Sequence, residues 1–386
     1  MAEKTLPENI APGTICVHSG TFHDGVTGGV NSPIFTSSSY EYLDREDTCY
    51  PRYFNTPNQE VVVAKLSNLE HAEAGVLFSS GMAAISTTIL SFAGRGDHVV
   101  LLDELYGGTH AFVTDCFDRL GIGYTFVKTS VDAVARAITA ETRVIVIESP
   151  TNPLMNIIDI EAVAGLGIAH GIVTVMDNTF ATPINQKPLA LGIDVVVHSG
   201  TKYLGGHSDL CCGVALGSRE HTQTILAMAR HLGGSLNGIT CYLLERSLKT
   251  LALRVERHCL NARRIGAELA AHDAVRRVYY PGLPGCSGYE TALKQMKGFG
   301  GMLSFELANG GVGPDAFLKR LRLVRPAVSL GGVESLICAP AHTSHAKLSA
   351  TERHRLGITD GLLRLSVGIE EVDDILADLD QALSTL

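Results

Sequence analysis

The chain has 386 residues, 45% of them apolar and 18% charged, with a formal net charge of −9. This composition suits a packed globular protein and excludes a disordered one, and the acidic balance leaves no basic footprint for nucleic acid. The length exceeds what a single hydrophobic core supports, so two domains are expected.

Residues 1–57, with stretches such as TGGVNSPIFTSSSY, have weak periodicity and read as an extended arm. They contain no apolar leader, and no run anywhere approaches eighteen apolar residues, so the expectation is a soluble, cytoplasmic protein without a membrane partner. From residue 58, NQEVVVAKLSNLEHAEAG sets Val62, Leu66 and Leu69 at helical spacing and ends near Gly75. Short β-rich runs follow, separated by helix-length segments: HVVLLD (98–103), YTFVK (124–128), RVIVIES (143–149), IVTVMDN (172–178), DVVVHSG (194–200) and GVALGS (213–218). Their continuous Val/Ile character marks strands covered on both faces, and the alternation with helices predicts a mostly parallel α/β sheet.

After about residue 220 the pattern turns helical, and ITCYLLERSLKTLALRVERHCLNARRIGAELAAH reads as one long helix or two. The remainder mixes short strands (MLSFEL, LLRLSVG) with the terminal helix EEVDDILADLDQAL, which predicts a smaller α+β domain. The expected division is an arm over 1–57, an α/β domain over 58–247 and a C-terminal domain over 248–386. Nine cysteines (16, 49, 116, 211, 212, 241, 259, 286 and 338) lie at irregular spacing with no CxxC, which reads as free thiols in a reducing compartment.

In open parallel sheets, ligands bind beyond the carboxyl ends of the strands. Three successive strands here run into polar clusters: SPTNP with Asn152, then Asp177 with Asn178 and Thr179, then Ser199, Thr201 and Lys202. Gly200, Gly205 and Gly206 are expected to let backbone approach a ligand, and Ser199 and Thr201 can donate to phosphate oxygens. A desolvated lysine has a depressed pKa and condenses with carbonyls. Pyridoxal phosphate needs such a lysine and an acidic partner for its ring nitrogen, a role open to Asp177. Ser80, Gly81 and Met82, opening a helix of small residues, offer backbone N–H groups for the phosphate. Read alone, each of these also fits a cap, a turn or a surface residue.

The string SGTKYLGGHSD, with ESPTNP and MDNTFATP before it, resembles the Cys/Met-metabolism family of pyridoxal-phosphate enzymes. YPRYFNTP, SSGMAA, DELYGGT, HCLNA, YYPGLP, AVSLGGVESL and GLLRLSVGIEEVDDILADLDQAL extend the likeness over almost the whole chain. The resemblance implies an aspartate-aminotransferase-like (fold type I) α/β protein with pyridoxal 5'-phosphate as cofactor and a sulfur amino acid as substrate. It makes Lys202 the Schiff-base lysine and Asp177 the ring-nitrogen partner. Ser199 and Thr201, with the backbone of Gly81 and Met82 beside Ser80, become phosphate ligands. Tyr106 becomes the ring-stacking tyrosine that also moves a proton, and Asn152 and Thr179 line the ring. Ser329 and Arg364 hold the substrate carboxylate, a task suited to a guanidinium fork. Tyr50 and Arg52 reach the phosphate of a neighbouring subunit, which implies a homotetramer built from dimers with shared sites.

The resemblance leans towards the methionine γ-lyases, and so towards γ-elimination. Cystathionine γ-lyase, cystathionine γ-synthase and homoserine-ester sulfhydrylase chemistry remain open, because one site supports elimination and replacement alike. Gly108 stands where methionine γ-lyases carry cysteine, whereas Val328 stands where enzymes of cystathionine carry glutamate, and the two pull in opposite directions. Asn55-Thr56-Pro57 replaces the usual Asn-Pro-Thr, so a somewhat different arm path is expected. A nicotinamide fingerprint is not met, because GLGIAHG (165–171) precedes its strand instead of following one. His342 and His345 in HTSH lack a third ligand, and no metal is expected.

Overall fold

The computed structural model describes residues 10–45, 48–308, 313–343, 346 and 349–384. Seven strands form the first sheet: β1 (Ala74–Phe78), β2 (His98–Leu102), β3 (Gly123–Val127), β4 (Thr142–Glu148), β5 (Val173–Asp177), β6 (Val195–Ser199) and β7 (Gly213–Gly217). Their spatial order is β1-β7-β6-β5-β4-β2-β3. The five strands from β6 to β3 are parallel, and only β7, between β1 and β6, runs against its neighbours. The Val/Ile runs lie between helices on both faces, and β2, β4, β5 and β6 are almost wholly buried, as continuous apolar strands require.

Strand direction decides where the site can form. The carboxyl ends of β4, β5 and β6 lie side by side, with Glu148 opposite Asp177 and Asp177 opposite Val197. Gly213 of β7 pairs with both Ser199 and Phe78, so the end of β1 opens at this same edge. The helix Gly81–Phe92 starts there, and its N-cap Ser80 accepts a hydrogen bond from the Ala83 amide at 3.0 Å. The helix Pro57–Glu70 begins with Pro57 and a capping box between Thr56 and Gln59.

A second sheet contains β8 (Val275–Tyr279), β9 (Met302–Leu307), β10 (Arg325–Pro326), β11 (Leu336–Cys338) and β12 (Leu362–Ser366), in the order β10-β11-β12-β9-β8. The predicted 238–271 segment is two helices, Gly238–Leu248 and Leu251–Ala271. The longer one joins both halves of the molecule. Its Leu251 and Val255 enter the core beside the first sheet, and its Ala262, Ile265 and Leu269 enter the core of the second. A hydrogen bond from Ser304 Oγ on β9 to the Pro153 carbonyl, 2.7 Å, ties the second sheet to the loop after β4.

One difference from the expected arm is plain. Pro12–His18 is a helix whose Ile15 and Cys16 are buried against the helices Pro57–Glu70 and Leu251–Ala271. All nine cysteines are free thiols. Among the described residues, no helix is long and apolar enough to cross a membrane.

Candidate active site

Lys202 lies just beyond β6, in a turn closed by its own amide on the Ser199 carbonyl at 3.2 Å. Its Nζ donates to Ser329 Oγ at 2.8 Å. Burial first, and the Arg364 guanidinium second, lower its pKa from 10.5 to about 8. Arg364 projects from β12 and is itself buried, with Nη1 donating to Asn152 Oδ1 at 2.9 Å and Nη2 to the Ser329 carbonyl at 3.2 Å. Ser329 therefore meets both cations, one through its hydroxyl and one through its carbonyl. It does so at a φ of +83°, a conformation that non-glycine residues rarely adopt and that its surroundings must hold.

Asp177 ends β5, with Oδ1 accepting from the Thr179 amide at 2.9 Å. Burial raises its pKa above 3.8, opposed by the Thr179 hydrogen bonds and by His198. The Thr179 hydroxyl accepts from the Ser199 amide at 2.8 Å, which locks the end of β6 to the turn after β5. Glu148, a neighbour of Asp177 across the ladder, is buried and accepts from the Tyr106 amide at 2.9 Å. Burial, then repulsion by Asp177, pushes its pKa well above 4.5. Glu148 thus anchors the start of the Tyr106 loop.

The start of the helix Gly81–Phe92 presses directly on Ser199. A Cβ built on Gly81 would lie 2.7 Å from Ser199 Cβ and 2.9 Å from its Oγ. Only glycine lets the helix start approach the Ser199 side chain this closely, and the amides of Gly81 and Met82, in the first turn, have no partner within the helix. Tyr106 is exposed, and its ring covers Gly108, where a Cβ would sit 2.4 Å from Tyr106 Cε1 and 3.0 Å from Met82 Sδ.

Lys202, Asp177, Thr179, Ser199, Thr201, Ser80, Gly81, Met82, Ser329 and Tyr106 each keep accessible surface, while Asn152 and Arg364 behind them are buried. This donor set fits pyridoxal phosphate: a desolvated amine, a carboxylate one strand away, and amides with hydroxyls gathered at a helix start. One expectation is corrected. Gly200, Gly205 and Gly206 make room for Cys212, Leu210 and Arg254 instead of a ligand, and all three are buried. The Thr201 hydroxyl donates to the Cys212 carbonyl at 3.3 Å and accepts from the Cys212 amide at 3.1 Å, so it also holds the loop to β7.

Tyr50 and Arg52 are not brought into this group. Both are exposed, with the Arg52 guanidinium 5.9 Å from the Tyr50 ring centroid, 5.4 Å from that of Tyr53, and donating to the Arg230 carbonyl at 2.8 Å. His342 lies in a short turn with Nδ1 3.6 Å from Asp315, and His345 falls outside the described residues. Glu148 was not singled out by sequence reasoning, although it stands at the last position of β4, where the strand-end rule points.

The sequence pattern of one family, described as "Cys/Met metabolism PLP-dependent enzyme", matches residues 13–384. The chain is 45% identical to a cystathionine gamma-lyase of Bacillus subtilis, over 97% of this chain and 99% of that one. It is 43% identical to an L-methionine gamma-lyase of Fusobacterium nucleatum, over 97% and 98%. The crystal structure of a cystathionine gamma-lyase from Lactobacillus plantarum complexed with L-serine superposes with a TM-score of 0.94 at 40% identity, over 97% of this chain and 99% of that one.

Proposed function

The chain belongs to the Cys/Met metabolism family of PLP-dependent enzymes, with the fold-type-I architecture of that family, and from that premise we propose that it is a carbon–sulfur lyase. In this reading it removes a thiol from the γ-carbon of a sulfur amino acid, and one water then releases the remainder as 2-oxobutanoate and ammonia. The observation that carries the reading is the contact of Lys202 Nζ with Ser329, beside the Arg364 guanidinium. It sets a base next to the group suited to a substrate carboxylate.

When bound, the cofactor supplies a protonated ring that withdraws electrons from the substrate α-carbon. The rest falls to this chain. Lys202 would carry the cofactor covalently, and its freed amine takes the Cα proton; with a pKa of about 8, roughly a tenth of that amine is neutral at pH 7. Arg364 and Ser329 orient the carboxylate so that the Cα–H bond faces that amine. Asp177 keeps a proton on the ring nitrogen. Ser199, Thr201, Ser80 and the amides of Gly81 and Met82 hold the phosphate. Once the Lys202 amine has passed the Cα proton on, it takes a second one from Cβ, the sulfur leaves Cγ with the bonding electron pair, and the Tyr106 hydroxyl hands it a proton. Asn152 and Thr179 line the ring.

Val328, exposed beside Ser329, favours an uncharged thioether such as methionine over a substrate with a distal ammonium and carboxylate. A second reading, cleavage of cystathionine, draws support from the 45% identity to the Bacillus cystathionine gamma-lyase and from Gly108 in place of a cysteine. The site also allows γ-replacement if a thiol adds before release. Incubation with methionine, cystathionine, homocysteine and an activated homoserine ester, reading 2-oxobutanoate and thiol, tests these readings. Preferential release of both products from methionine supports the first, preference for cystathionine supports the second, and no release from any of them refutes a γ-lyase.

The proposed organisation is an arm over 1–57, a cofactor-binding domain over 58–247 and a C-terminal domain over 248–386. The assembly would be a homotetramer in which Tyr50 and Arg52 complete the phosphate site of a neighbour, a reading consistent with their exposure. Nine free thiols suit the reducing cytoplasm.

A further inference from the structure

Behind the strand ends, one buried carboxylate gathers the chain. Glu70, the last residue of the helix Pro57–Glu70, is fully buried. Its Oε1 accepts from His198 Nε2 at 2.6 Å and from Asn178 Nδ2 at 2.9 Å. Asn178 Nδ2 also donates to the Gln186 carbonyl at 3.1 Å, and Asn178 Oδ1 accepts from Gln186 Nε2 at 3.0 Å. The same Gln186 Nε2 donates to the Ser149 carbonyl at 2.8 Å, just past the end of β4. His198, Asn178 and Gln186 are all buried. The nearby Lys187 ammonium donates to the Leu69 carbonyl and acts on Glu70 through its charge, while the hydrogen bonds to the carboxylate come from His198 and Asn178.

Three members stand beside the candidate site. Asn178 follows Asp177, His198 precedes Ser199, and Ser149 opens the loop that carries Asn152. On β6, successive residues point to opposite faces, so His198 is held from the side opposite to the one Ser199 presents. Glu70 Oε2 and His198 Nδ1 are buried without a hydrogen-bond partner among the described residues.

We propose that Glu70 is a positioning residue that acts through His198 and Asn178 to fix the ends of β5 and β6, so that Asp177 and Ser199 meet the cofactor's ring nitrogen and phosphate. The inference rests on the pyridoxal-phosphate reading of the site. The test compares the full-length protein with Glu70→Gln, His198→Gln and the double variant. Folding is followed by far-UV circular dichroism, cofactor affinity by equilibrium dialysis with pyridoxal phosphate, and turnover by separate kcat and KM. Glu70→Gln should stay folded, bind the cofactor about tenfold more weakly and lose about tenfold in kcat, with KM changed less than about twofold. The double variant should lose no more than the worse single one, as members of one unit do. If Glu70→Gln does not fold, Asn178→Ser, which removes the amide that meets both Glu70 and Gln186 beside Asp177, carries the same expectation. Unchanged affinity and kcat in a folded variant, a fall in melting temperature alone, or additive losses in the double variant would overturn the proposal. Failure of the unmodified protein to bind pyridoxal phosphate at all would remove the functional reading, and this inference with it.

Discussion

Gly81→Ala tests the phosphate cradle at a single methyl group. The added Cβ would stand 2.7, 2.9 and 3.0 Å from Cβ, Oγ and Cα of Ser199. Ordinary carbon–carbon contact begins near 3.5 Å, so Ser199 or the helix start must retreat by roughly 0.5 to 1 Å. The backbone imposes no penalty of its own, because Gly81 is not among the residues with positive φ. Overpacking of this kind costs roughly 1–3 kcal/mol. Without cofactor the half-buried Ser199 can relax, so most of the cost should fall on binding and weaken pyridoxal phosphate by about 10- to 100-fold. Titration of cofactor-free protein with pyridoxal phosphate, and separately with pyridoxal, measures this. Pyridoxal lacks the phosphate and should lose less than about threefold. Equal losses for the two compounds, or no loss for either, would refute the assigned cradle.

Other outcomes follow from the same geometry. In cofactor-free protein the rate at which Lys202 condenses with pyridoxal should rise about tenfold per pH unit and level near pH 8, because the neutral amine reacts and its pKa is about 8. A rise continuing past pH 10 would indicate an ordinary exposed lysine. Glu148 holds its proton in the folded chain above the pH at which the unfolded chain releases it, so its contribution to stability is lost as pH climbs from 4.5 towards its raised value. Glu148→Gln should therefore gain on the unmodified protein with increasing pH, on the order of 1 kcal/mol per unit in that window, in urea unfolding. Parallel curves would contradict the buried, protonated acid. Arg364→Lys keeps the charge but not the fork, and should raise KM about 10- to 100-fold with kcat changed much less. An unaltered KM would remove Arg364 from carboxylate recognition.

Much of this was readable from residue order, for identifiable reasons. Continuous Val/Ile runs marked the buried strands, and the polar residues ending β4, β5 and β6 led to Asn152, Asp177 and Lys202 because a parallel sheet puts those ends together. Other features depend on partners far away in the chain. GVALG does not disclose that β7 runs antiparallel. A helix of seven residues, Pro12–His18, is too short for periodicity to reveal, and only its contacts with the long helices explain it. Gly200, Gly205 and Gly206 looked like ligand glycines because a missing side chain does not say what fills its space. Glu70, at a helix end, reads as a solvated charge until the fold brings His198 to it across 128 positions. The role of Tyr50 and Arg52 between subunits depends on a neighbouring copy, which no pattern along one chain displays.

The account turns on which lysine carries the cofactor. Protein incubated with pyridoxal phosphate, reduced with borohydride and digested should yield one peptide bearing the cofactor's mass, and that peptide should contain Lys202. Attachment to Lys187, to Lys65 or to scattered surface lysines, or no attachment at all, would contradict it.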